Sequence, residues 1–63
     1  MYFYIIYPDP EDNHLRVEVV ETAKRATARV RYLIENGVDE EDILASEENG
    51  FNDGFTFLNR WED

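Results

Sequence analysis

The sequence contains no cysteine and only one histidine, His14. Without thiolates it can form neither disulfides nor a thiolate zinc site, and a single imidazole cannot build a histidine metal cluster. A glycine-rich phosphate loop is also missing. We therefore expect no metal and no other cofactor, and a core made of apolar side chains alone. The 63 residues should form a single compact domain, 1–63, that buries only about 60% of its unfolded surface.

Long hydrophobic runs are missing as well. The N-terminal apolar stretch, Tyr2–Tyr7, is far too short to span a bilayer, no basic residue precedes it, and no small-residue cleavage site follows it. We expect a cytoplasmic protein, in the host cytoplasm if a phage encodes it, and no membrane partner.

Basic residues are few, six against fifteen acidic ones, and the net charge is -9. This balance opposes direct binding to nucleic acid through general electrostatics and favours a protein target with a basic surface. The basic stretch between Thr22 and Ile34 contains no acid and could form a secondary basic face from Arg25, Arg29 and Tyr32. A solvated face balanced by nearby carboxylates is the better interpretation of that stretch.

Two strands are predicted at the start of the chain. Tyr2–Tyr7 is apolar on both faces, which is typical of a central strand, and the prolines that follow end it. Leu15–Glu21 alternates as a half-buried strand does, with Leu15, Val17 and Val19 on one face and Arg16, Glu18 and Val20 on the other. The two strands should pair as a hairpin.

A helix from Thr22 to Asn36 follows. Thr22 is a suitable N-cap, and Asn36-Gly37 is a strong helix stop, with Val38 placed for the hydrophobic contact that often follows such a C-cap. At 3.6 residues per turn, one apolar stripe should face the sheet. It consists of Ala23, Ala26, Val30, Leu33 and Ile34.

The second half of the chain is predicted to contain a helical turn at Asp39–Asp42 and a third strand at Ile43–Glu48. The pairs Asn49-Gly50 and Asp53-Gly54 are turn signals that lead into a fourth strand at Phe55–Trp61. The fold class is therefore α+β. We expect a small single domain of order ββαββ, with a four-stranded, mostly antiparallel sheet and one helix packed on one face.

Aromatic residues make up 14% of the chain, more than one thin core readily hides. Because one helix covers only one face of the sheet, we predict an aromatic-lined sheet face that self-association or a partner buries. Each ring could instead lie inward with its polar tip in water. The set comprises Tyr2, Tyr4, Tyr7, Phe55, Phe57 and Trp61.

The stretch Val38–Asp53 is rich in acid and contains no base. It fails as an EF-hand loop, because with Gly54 in the sixth position the third and twelfth positions are Phe51 and Arg60. A loose magnesium site at Asp39–Asp42 is less common than solvated surface. The candidate partner-binding carboxylates are Asp39, Glu40, Glu41, Asp42, Glu47, Glu48 and Asp53, with Glu62 and Asp63 as additions.

Nucleophilic catalysis would need a hydroxyl next to an oriented histidine, and His14 lies in a proline-bounded turn. A domain this small also offers little depth in which to perturb a carboxylate for acid catalysis. We predict that the protein is not an enzyme; a metal enzyme based on carboxylates alone is the weakest of the possibilities.

In general character, this compact, acidic, cysteine-free chain resembles the small inhibitors that phages and mobile elements encode against host nucleases, CRISPR effectors or polymerases. The resemblance implies a non-enzymatic inhibitor, of the anti-CRISPR or anti-restriction type, whose carboxylates mimic DNA on a basic, nucleic-acid-binding surface of its target. The alternative is a structural or regulatory module that forms a homodimer or joins a complex through the aromatic sheet face.

Overall fold

A computed structural model describes residues 2–47 and 50–61. Within them, the chain forms a small α+β domain with a four-stranded antiparallel sheet, as predicted. The elements in chain order are β1 (Phe3–Pro8), β2 (Leu15–Val20), α1 (Ala23–Glu35), a 3₁₀ turn (Glu40–Asp42), β3 (Leu44–Glu47), β4 (Gly50–Asp53) and α2 (Gly54–Trp61).

The sheet has the strand order β2-β1-β3-β4, and every neighbouring pair is antiparallel. The N-terminal strand β1 is central, as its apolar character predicts. Only one of its faces is covered, however: Phe3, Ile5 and Tyr7 are buried, whereas Tyr4 is exposed. The domain therefore has two layers, the sheet and a layer of helices.

Helix α1 begins and ends where the sequence predicts. The Thr22 hydroxyl accepts a hydrogen bond from the Arg25 N–H at 3.1 Å. After the last turn, Gly37 adopts a left-handed conformation (φ 101°), and the Gly37 and Val38 N–H groups donate back to carbonyls of the preceding turn. Val38 is buried, and so are the members of the predicted stripe Ala26, Val30 and Leu33.

The predicted fourth strand at Phe55–Trp61 was wrong, because this segment is helix α2 and the short strand β4 precedes it. The Asp53-Gly54 pair, interpreted as a hairpin turn, begins the helix: the Asp53 carboxylate accepts a hydrogen bond from the Thr56 N–H at 2.8 Å. Phe57 and Trp61 are four residues apart and share one side of a helix. The element order is therefore ββαββα.

The core lies between the sheet and the two helices, which contact each other. Phe57 is fully buried, and its ring centroid is 6.0 Å from that of Phe3. Trp61 makes an edge contact with the same Phe3 ring at 5.4 Å. The buried apolar residues are Phe3, Ile5, Tyr7, Ala26, Val30, Leu33, Val38, Ile43, Ala45 and Phe57.

Candidate binding surface

The helix-free side of the sheet, called the open face below, is defined by the strand register. Cross-strand partners project on the same side of a sheet, so the partners of the exposed Tyr4 lie on this side with it. By register, the open face consists of Tyr4, Ile6 and Pro8 in β1, Leu15, Val17 and Val19 in β2, Leu44 and Ser46 in β3, and Phe51 and Asp53 in β4. Tyr2, one residue before β1, continues the alternation.

The open face is apolar and well exposed. The exposed fractions of its exposed hydrophobic residues range from 43% for Leu44 to 72% for Leu15, and Ile6 is half-buried between them. Asp53 is the only charged residue among the register positions that make up the open face, and its carboxylate accepts a hydrogen bond at the start of α2. Contiguous exposed apolar surface of this kind usually marks an interaction site.

The face also carries an aromatic row. Along one row of the register, Tyr4 and Phe51 flank Ser46. The two aromatic residues are 45% and 57% exposed, whereas Ser46 is 5% exposed. This row therefore places a small residue between two bulky ones, close to the middle of the sheet.

Strand β2 turns its apolar residues away from the core. Its alternation would allow Leu15, Val17 and Val19 to pack under α1, yet they lie on the open face, while Glu18 pairs with Ile5 on the helix side. A one-residue slip in register would exchange the two sets. Hydrophobic burial alone would favour the slipped register, whereas the observed register gives Glu18 a specific interaction on the helix side.

That interaction is an ion pair between Glu18 and helix α1. Arg29 donates through Nε and Nη2 to the two Glu18 carboxylate oxygens at 2.6 and 2.7 Å, and the Tyr7 hydroxyl donates to the same carboxylate at 2.5 Å. Bidentate pairs of this kind are geometrically demanding as well as strong. The Arg29 guanidinium also lies over the Tyr32 ring, 4.8 Å from its centroid.

The charges in this network stabilise one another. The Arg29 hydrogen bonds hold the pKa of Glu18 below its ordinary value, and the Tyr7 hydroxyl contributes in the same direction. The Glu18 carboxylate in turn raises the pKa of Tyr7 and that of Arg29. All three groups therefore keep their hydrogen-bonding forms through the neutral pH range.

Replacement of Glu18 by glutamine is expected to lower the free energy of unfolding at pH 7 by about 1–2 kcal/mol, because the charge-assisted bonds to Arg29 are lost. The pKa of Glu18 is lower in the folded state than in the unfolded state. The ion pair therefore contributes its full stabilisation above the unfolded-state pKa of about 4.3, and this stabilisation disappears as pH falls through the folded-state pKa. Urea unfolding of both proteins between about pH 3 and about pH 7 measures the difference.

Glu21→Gln is the matched control, since Glu21 is exposed, lies just after β2 and loses the same charge. It should change stability by less than about 0.5 kcal/mol at every pH. A Glu18→Gln deficit that stays constant down to about pH 3 would contradict the assigned role of the ion pair.

The structure distributes the candidate carboxylates among different roles. Asp39 caps the 3₁₀ turn through the Glu41 N–H, at 3.3 Å. Glu47, with a side chain only 7% exposed, pairs with Arg60 at 3.0 Å, and Asp53 caps α2. Exposed carboxylates outside any described ion pair remain at Glu41 and Asp42, beside the half-buried Glu40. Glu48, Asn49, Glu62 and Asp63 lie outside the described residues.

The aromatic candidates also separate. Tyr2 and Tyr4 are exposed on the side of the open face, but Tyr7 is buried on the helix side. Of the three predicted in a fourth strand, Phe57 is in the core, Trp61 packs against it, and Phe55 is exposed on α2. Sequence reasoning missed the apolar contributions of Leu15, Val17, Val19, Leu44 and Phe51.

The residues of the secondary basic face are four and three positions apart in α1 and therefore share one side of the helix. Arg29 forms the ion pair with Glu18 and lies over the Tyr32 ring. Arg25, one turn earlier in α1, is exposed. Beside Arg29, a shallow cleft of about 480 Å³ opens between α1 and the loop after β1. Two of its charged lining groups are already partnered, because Asp9 binds Arg16 at 3.1 Å and Arg29 binds Glu18; the third is the exposed Glu11.

No family model, curated protein or solved structure matches this chain. In the described part of the chain, no cluster of three or more His, Cys, Asp or Glu residues could hold a metal ion. The helices of residues 2–47 and 50–61 are too short and too polar for any of them to cross a membrane.

Proposed function

We propose that the protein is a non-enzymatic, cytoplasmic binding module that acts through the open face of its sheet. The observation that carries the proposal is the orientation of β2: Leu15, Val17 and Val19 are exposed on a face that is already apolar, although the opposite register would bury them. Departures from the pattern that favours burial are expected at functional sites. The partner surface is apolar and free of charge at its centre, because an unpaired charge buried there would be costly.

Affinity purification from the cells that express the chain tests this function. Val17→Thr combined with Val19→Thr keeps the β-branched shape but adds hydroxyls to the open face. Glu41→Gln combined with Asp42→Asn leaves that face unchanged and removes the exposed acids. We expect a stoichiometric partner, another protein or an untagged copy, to remain with the acid variant and to fall by about tenfold with the threonine variant.

A second candidate function is inhibition by charge mimicry, of the anti-CRISPR or anti-restriction type. The net charge of -9 and the exposed carboxylates of Glu41 and Asp42 favour it. In this case the same purification should show the opposite result, with the partner lost from the acid variant and retained by the threonine variant. That outcome would replace the sheet-face proposal.

A further inference from the structure

We propose that a second copy of this chain occupies the open face, packed face to face across a two-fold axis. This inference rests on the proposed function, because it names the partner of the same surface. In such a dimer, each residue near the axis meets itself or a close neighbour from the other copy.

The absence of charge at the centre of the open face suits a two-fold interface. Any charge close to the axis would meet its own copy, and like charges in contact are strongly unfavourable. The central register positions are Tyr4, Ile6, Leu44 and Ser46. A face that docks a basic surface would gain from carboxylates at its centre. This chain has fifteen acids, yet none lies at those four positions.

The aromatic row of the face suits the same occupant. Tyr4 and Phe51 are exposed on either side of the buried Ser46, so the rings of one copy can pack on the rings of the other. Two-fold symmetry makes that contact reciprocal. Two such sheets would form a sandwich about 10 Å thick, with the helices on the outside.

The area of the face fits a modest dimer. Four strands about 4.8 Å apart and five residues about 3.3 Å apart cover roughly 19 by 16 Å. Taking about 200 Å² for a fully exposed large side chain, the exposed fractions correspond to roughly 600–700 Å² per copy. A standard interface buries about 800 Å² per partner, so association in the micromolar range is expected.

The charge of the chain sets the salt dependence of this dimer. Each copy carries -9, and the charges lie away from the centre of the face, so dimerisation brings like charges closer without placing them in contact. The Debye length falls from about 14 Å in 50 mM salt to about 4 Å in 500 mM salt. Dimerisation should therefore strengthen several-fold with salt, whereas a complex with a basic partner would weaken.

Sedimentation equilibrium of the purified full chain at low and high salt tests the proposal. We expect a reversible monomer–dimer equilibrium with Kd between about 10⁻⁶ and about 10⁻⁴ M. Val17→Glu should weaken it by about 100-fold, because the new carboxylate is buried without a partner. The double variant Val17→Thr and Val19→Thr should weaken it by about tenfold and retains the β-propensity of the strand.

Phe55→Glu is the matched control. Phe55 is 56% exposed against 62% for Val17, and the substitution adds the same charge, but it lies on α2 in the helix layer. It should change Kd by less than about twofold. Circular dichroism of every variant establishes that the fold is retained.

Two outcomes would contradict the proposed dimer. One is a wild-type chain that stays monomeric at about 1 mM, and the other is a Phe55→Glu effect on Kd as large as that of Val17→Glu. If the chain is monomeric but still loses a co-purified protein when Val17 and Val19 are changed, the proposed function stands and only the occupant is wrong. If the Val17 and Val19 substitutions change neither the co-purified partner nor the monomer–dimer equilibrium, both proposals fail.

Discussion

Replacement of Phe57 by alanine is expected to remove much of the stability of the domain at 25 °C. Phe57 is fully buried, and its ring contacts Phe3 in the core between the sheet and α2. Removing a buried phenylalanine costs about 3–5 kcal/mol. At about 0.05–0.15 kcal/mol per residue, a domain of this size has a total stability of only about 3–9 kcal/mol. With mid-range values of about 4 kcal/mol for the loss and about 6 kcal/mol for the total, about 2 kcal/mol of stability would remain.

The control for this substitution is Phe55→Ala in the same helix. Phe55 is exposed, so its removal should change stability by less than about 0.5 kcal/mol. If the segment were a strand, Phe55 and Phe57 would project on the same side, and the two substitutions would cost similar amounts. Urea titrations followed by Trp61 fluorescence distinguish the two cases, and they should be run at low protein concentration because dimerisation adds stability.

The substitution Gly54→Val is expected to lower the free energy of unfolding by about 2–4 kcal/mol. Gly54 is the first residue of α2 and is buried against the 3₁₀ turn. A Cβ atom there would lie 3.0 Å from the Glu40 carbonyl oxygen and 3.4 Å from the Ile43 Cβ. Neither neighbour is the free end of a flexible side chain, so α2 would have to move away from the turn.

A graded series makes the Gly54 result interpretable. Gly54→Ala gains helix propensity of about 0.5–1 kcal/mol but introduces the 3.0 Å contact, so its net effect should be small. Asn59→Val places the same β-branched residue at an exposed position of α2 and should cost less than about 0.5 kcal/mol. Thermal unfolding measures all three. Equal effects of valine at positions 54 and 59 would contradict the close packing of α2 on the turn.

The first half of the fold could be predicted because its signals are local. Thr22 caps α1 in the structure as the sequence indicates, and Gly37 with Val38 ends it as the sequence indicates. The central position of β1 also follows from its apolar composition. In each case the residues that decide the conformation are neighbours in the sequence, so no knowledge of tertiary contacts is needed.

Helix α2 was missed because its sequence satisfies two periodicities. The residues Phe55, Phe57 and Trp61 alternate as in a strand, but Phe57 and Trp61 are also one helical turn apart. Asp53 followed by Gly54 fits a two-residue hairpin turn, but aspartate is also a favoured N-cap residue of helices. The contact that decides between them is the burial of Phe57 against Phe3, and that pair lies at opposite ends of the sequence.

An apolar sheet face could be expected from the sequence, but only some of the residues that form the open face could be named. The excess of aromatic residues indicated that one sheet face would be apolar, and Tyr2 and Tyr4 are exposed on that side. The contribution of β2 could not be predicted, because its alternation favours a buried Val17. In the observed register Glu18 meets Arg29, eleven residues away, and the Tyr7 hydroxyl. Sequence periodicity carries no information about that pairing.

The contact of Phe3 with Phe57 and Trp61 has a consequence for synthesis of the chain. Nearly the whole described sequence separates these rings, so a very long loop must close before Phe3 acquires its aromatic neighbours. The β1–β2 hairpin and α1 can form earlier, because their contacts are local. Until Trp61 has left the ribosome, Phe3 stays uncovered on the helix side of the sheet, and the open face on the other side is apolar as well. The interval before α2 docks is therefore when the chain is most exposed to aggregation or to capture by chaperones.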